Sequence, residues 1–212
     1  MAKKEITIEV PNNWSAITLR KYLEMYKDLK AYEGESDAVM ATLFYHLCGI
    51  TPDIMQKLDT ETFIQIRNEL NDFIGNTDIP LVKSFVHNGI EYGFYPNLSK
   101  IEYGAYVDIC KYTASEVSIS EDWAKVMAIL YRPITKKMGK LYEVQPYDTE
   151  VEWEWFMDLG MDIHFGAWWF FFTLSRDLLK GTLNSLVMKE ALPPNIVQTL
   201  QESGEAIHQL FP

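Results

Sequence analysis

The sequence predicts a mainly α fold: a multi-helix globular domain with an N-terminal strand and one β-hairpin at 81–95. Three observations carry this. Apolar residues recur at helical spacing along most of the 212 residues. Asn88-Gly89 interrupts that spacing between two extended runs, and both central positions of a type I′ turn favour positive φ. Near the start, Ile6, Ile8 and Val10 alternate with Glu5, Thr7 and Glu9, the period of a strand. Hydrophobic residues at 48% and charged residues at 23% match ordinary globular proteins and exclude wholesale disorder. The length suits one domain over 1–212, with a division into 1–98 and 99–212 as the alternative.

Each element has its own signal. Pro11-Asn12-Asn13 ends the first strand, and Thr18 caps a helix carrying Leu19, Tyr22, Leu23, Tyr26 and Leu29. Ser36 opens a second helix that stops at Gly49. Thr51-Pro52 places a cap before a proline and starts a short helix. Asp59 or Thr60 begins another, carrying Phe63, Ile64, Ile66, Leu70 and Phe73 ahead of Gly75. The hairpin follows, with Phe85, Tyr92 and Phe94 as its expected anchors. Helices then resume, one through Ala105 and Ile109 and one from Ser120 to Leu130, which Pro133 is expected to end. Residues 134–148 read as an exposed ribbon or loop with Gly139 at its tip. Over 149–156 the alternation of Val151, Trp153 and Trp155 suggests a strand, while Thr149 with Glu152 forms a capping box. We favour the helix, since no partner strand is apparent nearby. A long helix over about 163–184 and an amphipathic one ending near Leu210 complete the chain.

Chemical motifs are scarce. The four histidines, His46, His87, His164 and His208, show no metal-ligand spacing, and no GxSxG, GxGxxG or P-loop occurs. We therefore expect no catalytic residue, cofactor or metal. Cys48 and Cys110 fall in apolar helical patterns and read as buried thiols. A net charge of −11 and the lack of any Lys/Arg run longer than a pair such as Lys136-Lys137 disfavour direct nucleic-acid binding.

The charge is unevenly spread. From Leu141 to Ser175 there are seven acids and no Lys or Arg. A solvated face is the common meaning of such a run, although dense carboxylates at 150–162 could also hold a divalent ion. Trp153 and Trp155 lie among these acids, and aromatics beside selecting charges suit a protein interface.

The stretch GAWWFFFTL (166–174) holds five consecutive aromatics. Only thirteen uncharged residues separate Asp162 from Arg176, roughly 20 Å of helix against a hydrocarbon core of about 30 Å, so it is no transmembrane segment. Five aromatics at 100° per residue sweep the whole circumference of a helix. We expect Trp168, Phe171 and Phe172 to be buried and Trp169 or Phe170 to lie nearer the surface. The interface candidates are thus Trp153, Trp155, Trp169 and Phe170.

The order of elements carries a family resemblance. A strand leads into NNWSAITLRKYLEMY, then LFYHLCGITPDIMQKLDTETFIQIRNELNDF, the hairpin FVHNGIEYGFYPNLSKIEYGAYVDI, KVMAILYRPITKKMGKLYEVQPYD and GAWWFFFTLSRDLL. Together these resemble a family of small proteins from crAss-like and related tailed phages of Bacteroidetes, and the helical opening resembles tail-assembly chaperones. The resemblance implies a non-enzymatic, virion-associated protein, either cargo or a head or tail structural component. Its partners would be portal, tail or capsid proteins or further copies of itself, and its location the virion, with the host cytoplasm during assembly. A tail-assembly chaperone that leaves the particle is the alternative within this class. A phage enzyme with an acidic metal site near 150–162 is the alternative outside it.

Overall fold

The computed structural model describes residues 8–76, 78–113, 119–171 and 173. The chain divides into two compact units, 1–166 and 167–212. Most of the described residues belong to the first.

The helical opening follows the sequence signals closely. A 3-10 turn, Trp14–Ala16, is capped by the Asn13 side chain. Helix α1, Leu19–Ala31, starts at Thr18, whose hydroxyl accepts from the Lys21 amide. Helix α2, Ser36–Cys48, ends on Gly49 in the left-handed region, and its last turn is closed by the Gly49 and Ile50 amides. Helix α3, Pro52–Met55, is a single turn with proline first. Helix α4, Thr60–Gly75, is capped by Asp59, which accepts from the Thr62 amide and hydroxyl. An aromatic cluster ties the opening together: Trp14 lies 4.4 Å from Phe73 and 4.9 Å from Phe165, and Tyr22 lies 5.3 Å from Phe165.

The mainly α expectation with one hairpin is overturned by the sheet. Four antiparallel strands run in the order β1, β2, β3, β4: Ser84–His87, Ile90–Phe94, Tyr131–Met138 and Leu141–Val144. The fold is mixed, with helices and a substantial sheet. The first hairpin is as expected, with Asn88 at φ 49° and Gly89 at φ 78°. Gly89→Val should therefore cost about 1 kcal/mol or more, because a β-branched residue resists positive φ, and thermal melting reads it directly. An unchanged melting temperature would refute it.

The second hairpin is the expected exposed ribbon with its turn at Gly139, but it starts earlier than expected and joins the first hairpin in one sheet. Helix α6, Trp123–Leu130, gives way to β3 at Tyr131, three residues before Ile134, so Pro133 sits inside a strand instead of ending a helix. It pairs with Tyr92 in the β2–β3 register. Its carbonyl accepts the Gln145 amide at 2.9 Å, but it has no N–H to return. The Gln145 carbonyl is served instead by Arg132 Nη1 at 3.2 Å. A shift in the β3–β4 register between Ile134 and Lys136 accompanies the proline.

Arg132 is the unusual core residue, 2% exposed. Its Nε donates to the Ile129 carbonyl, and its Nη atoms donate to both oxygens of Glu102 at 3.0–3.1 Å. The guanidinium lies 4.7 Å from the Tyr95 ring and 5.5 Å from the Tyr147 ring. Glu102 also accepts the Tyr147 amide, and the Tyr147 hydroxyl donates to Asp108. The cluster pins helix α5, Tyr103–Thr113, to the α6–β3 junction and to the chain leaving β4. That chain leads into 150–158.

The expected N-terminal strand is only partly within the described residues. Ile6 lies outside them, and Ile8 and Val10 sit in irregular chain. Residues 149–153 are also irregular, and 154–158 form a 3-10 helix, so neither the strand nor the favoured α-helix holds there. Helix α7 covers 161–171. Its first residues pack closely: a Cβ on Gly166 would stand 2.5 Å from the Pro80 carbonyl oxygen, a contact only glycine permits. The continuation of α7 towards 184 and the final helix near Leu210 lie outside the described residues.

Candidate functional site

The strongest surface feature in the first unit is an open groove of about 690 Å³ around the second half of the acidic run. Trp153, Trp155 and Val151 supply its apolar wall, and Glu150, Glu152, Glu154 and Asp158 its charge. Among the described residues Arg20 is the one cation lining it, with Nε 3.0 Å from Asp158. Both partners of that pair are more than half exposed, so it adds little stability.

The two tryptophans are held by different devices. Trp155 stacks on His87 at 4.1 Å and on Phe156 at 3.9 Å, and approaches Tyr92 at 4.8 Å. Phe85 and His87 point to one face of β1, and Tyr92 pairs across from Phe85, so the hairpin presents one aromatic face to Trp155. Phe156 is 1% exposed and anchors the 3-10 helix to the core. Trp153 lies under the ammonium of Lys125 at 5.2 Å. Both rings are half-buried and line the groove.

His164 supports the same segment from below. It is fully buried in α7, and its Nε2 lies 2.9 Å from the Phe156 carbonyl, so Nε2 carries the proton and donates. Burial pushes its pKa down to about 4, only partly opposed by the Phe156 carbonyl.

Trp169 and Phe170 belong to the second unit. They are 49% and 39% exposed, as expected of two of the five aromatics. Trp168 and Phe171, expected to be buried, are only half-buried, and the Phe172 side chain lies outside the described residues. A helix that turns aromatics through its whole circumference leaves part of them uncovered here.

A second groove, of about 880 Å³, runs between α1 and α2 and contains a His46–Asp28 pair at 2.8 Å. Its chemistry is limited. Cys48 lines the groove, but burial, with Glu69 adding to it, pushes its thiol up to about 11, far from a ready thiolate. Among the described residues no hydroxyl or thiol is hydrogen-bonded to His46, so the pair joins two helices without activating a nucleophile. Cys110, expected to be buried, is exposed, because it falls on the outer face of α5 beside Tyr106 and Val107.

Among the described residues no three His, Cys, Asp or Glu side chains converge as a metal-binding set, and no helix is long and apolar enough to cross a membrane. The carboxylates of the groove are spread along an open wall. Glu102 is different: burial would raise its pKa, but the hydrogen bonds from Arg132 and the Tyr147 amide, with the guanidinium charge, bring it below the usual range. It is committed to Arg132.

Sequence reasoning located the tryptophan–acid segment but missed what supports it. Arg132, Glu102 and Tyr147 carry no motif. The one available signal was Arg132 inside an otherwise apolar helix-to-strand stretch, AILYRPI, where a charge needs a partner. No family model matches the chain, and no curated protein or solved structure matches it either.

Proposed function

We propose that this chain is a non-enzymatic protein of a tailed bacteriophage that works through protein–protein contacts. In this reading it is virion-associated, as cargo or as a head or tail component, and it passes through the host cytoplasm during assembly. Its partners are other phage structural proteins, and neither nucleic acid nor a cofactor takes part. The observation that carries the proposal is the groove at 150–158. It combines two half-buried tryptophans, each held by ring or cation contacts, with four exposed carboxylates, the pairing of hydrophobic anchor and selecting charge that protein interfaces use. The phage context rests on the resemblance of the sequence to small proteins of crAss-like and related phages.

Mass spectrometry of purified particles tests this directly. A reproducible virion component is expected. A chain that is abundant during assembly but missing from mature particles would identify the assembly-chaperone alternative. A chain missing from particles that retains a stoichiometric divalent ion after dialysis would overturn the proposal in favour of an enzyme. Replacing Glu150, Glu152 and Glu154 together by Gln should leave the melting temperature within about 2 °C of the parent, since exposed substitutions cost little. The same change should weaken association with the partner. A triple variant that melts far lower would make these carboxylates structural and remove the groove from consideration.

A further inference from the structure

The chain is acidic overall, yet one stretch reverses the sign. From Trp123 to Tyr142 there are five basic residues, Lys125, Arg132, Lys136, Lys137 and Lys140, and no acid. Lys125 is held by Asp122 at 2.6 Å, and Arg132 is buried and paired with the half-exposed Glu102. The remaining charge gathers at the β3–β4 turn. There the three lysines surround Met138, 59% exposed, and Leu141, 72% exposed, on a ribbon that turns at Gly139. Lys137 reaches Glu91 at 2.6 Å and Lys136 lies 3.8 Å from Glu143. Among the described residues Lys140 has no ion-pair partner. Two large apolar side chains held out between cations are the complement, in charge and in apolar character, of the groove at 150–158. Within one chain the two surfaces do not satisfy each other. Among the described residues no ion pair joins Lys136, Lys137 or Lys140 to a groove carboxylate.

We infer that the β3–β4 tip of one copy docks into the 150–158 groove of a second copy. This rests on the groove being a protein-contact surface, as proposed above, and names its occupant. The choice of a second copy follows from charge. Two chains of −11 repel in most orientations, and placing the basic tip against the acidic groove is the arrangement that turns the local interaction attractive. Met138 and Leu141 then cover the exposed parts of Trp153 and Trp155, removing apolar surface from water on both sides. Tip and groove are different surfaces of the same unit, so the contact is either made twice across a two-fold axis or made once per neighbour in a head-to-tail array. Such an array closes into a ring or continues as a filament, according to the rotation per copy.

The test is sedimentation velocity on the full-length protein over a range of concentration and salt. The parent should self-associate at low salt, and the association constant should fall on the order of tenfold or more between about 50 mM and about 500 mM salt. A tip variant, Lys136→Glu with Lys140→Glu and Met138→Ser, should be monomeric, and so should a groove variant, Glu152→Lys with Glu154→Lys. Each keeps one intact surface, so an equimolar mixture of the two should form a one-to-one dimer that grows no further. All these residues are exposed, and unchanged melting confirms folding. A parent that stays monomeric at low salt, a salt-independent association, or variants that fail to pair on mixing would each overturn the inference. If the parent is monomeric while the groove variant is lost from purified particles, self-docking falls and the groove keeps its role as a contact for another protein.

Discussion

Replacing Glu102 by Ala is expected to destabilise the protein by about 3 kcal/mol, the lower end for breaking a buried ion pair. The reason lies in the partner. Arg132 is 2% exposed and directs three of its five hydrogen bonds at the Glu102 carboxylate. Without it the guanidinium keeps the Ile129 and Gln145 carbonyls and two aromatic faces, but no counter-charge. Glu102 is itself 39% exposed, so water can partly replace the carboxylate, which is why the lower end applies. The paired change Glu102→Leu with Arg132→Met should cost much less than Glu102→Ala alone, since it removes charge and counter-charge together. Urea denaturation of the three proteins decides. If Glu102→Ala costs under about 1 kcal/mol, the cluster is a surface-like pair and does not hold α5 to the sheet. The Tyr147 amide also loses its acceptor in Glu102→Ala, so the chain leading into the groove should loosen with the core.

How much of this was legible follows from the range of each interaction. Caps and turns are local, so Thr18, Asp59, Gly49 and the Asn88-Gly89 turn appear where their neighbours in sequence demand them. The ribbon with Gly139 at its tip was legible, but its start before Pro133 and its place in the sheet were not, because the strand signal is masked. Pro133 reads as a terminator, and Lys136, Lys137 and Lys140 hide any alternation, while the partner that makes β3 a strand is β2, some forty residues away. Pairing at that distance depends on a register that no local pattern encodes. The segment 149–156 failed for a related reason. Its apolar residues alternate because Trp155 meets the face of the first hairpin while the glutamates face solvent, a requirement set by packing and not by any helix or strand period.

The candidate site was half legible. Trp153 and Trp155 among glutamates could be read as a surface, but the contacts that hold it could not. Trp155 needs His87, Tyr92 and Phe156, and Trp153 needs Lys125, all distant in sequence except Phe156. Placing the helix aromatics was harder still. The sequence fixes only that they point in every direction, and which of them are covered is a tertiary matter: Trp169 and Phe170 are exposed, and Trp168 is not fully covered either.

The last expected result concerns pH. The parent should lose about 2 kcal/mol of stability between pH 7 and pH 5 through His164 alone. With Nε2 donating to the Phe156 carbonyl, the second nitrogen, Nδ1, is the one that must take the proton, and it is buried without a partner among the described residues. Charging it there is unfavourable, so its pKa falls from the ordinary 6.5 to about 4. The unfolded chain therefore binds a proton in a pH range where the folded chain does not. Stability from this group is complete above pH 6.5, declines as pH falls, and is fully lost below about 4, where the total reaches about 3 kcal/mol. Glu102, held by Arg132 with its pKa lowered, acts mainly at more acid pH than the window in which His164 acts. His164→Gln isolates the contribution, because glutamine can still donate to the Phe156 carbonyl but does not titrate. The variant should be less stable at pH 7 yet show a pH 7-to-5 loss smaller than the parent's by about 2 kcal/mol. Equal losses in the two proteins would mean that His164 is protonated without penalty and that its buried nitrogen has an acceptor. Because the carbonyl concerned belongs to Phe156, against which Trp155 stacks, acid should slacken the floor of the groove before the fold is lost.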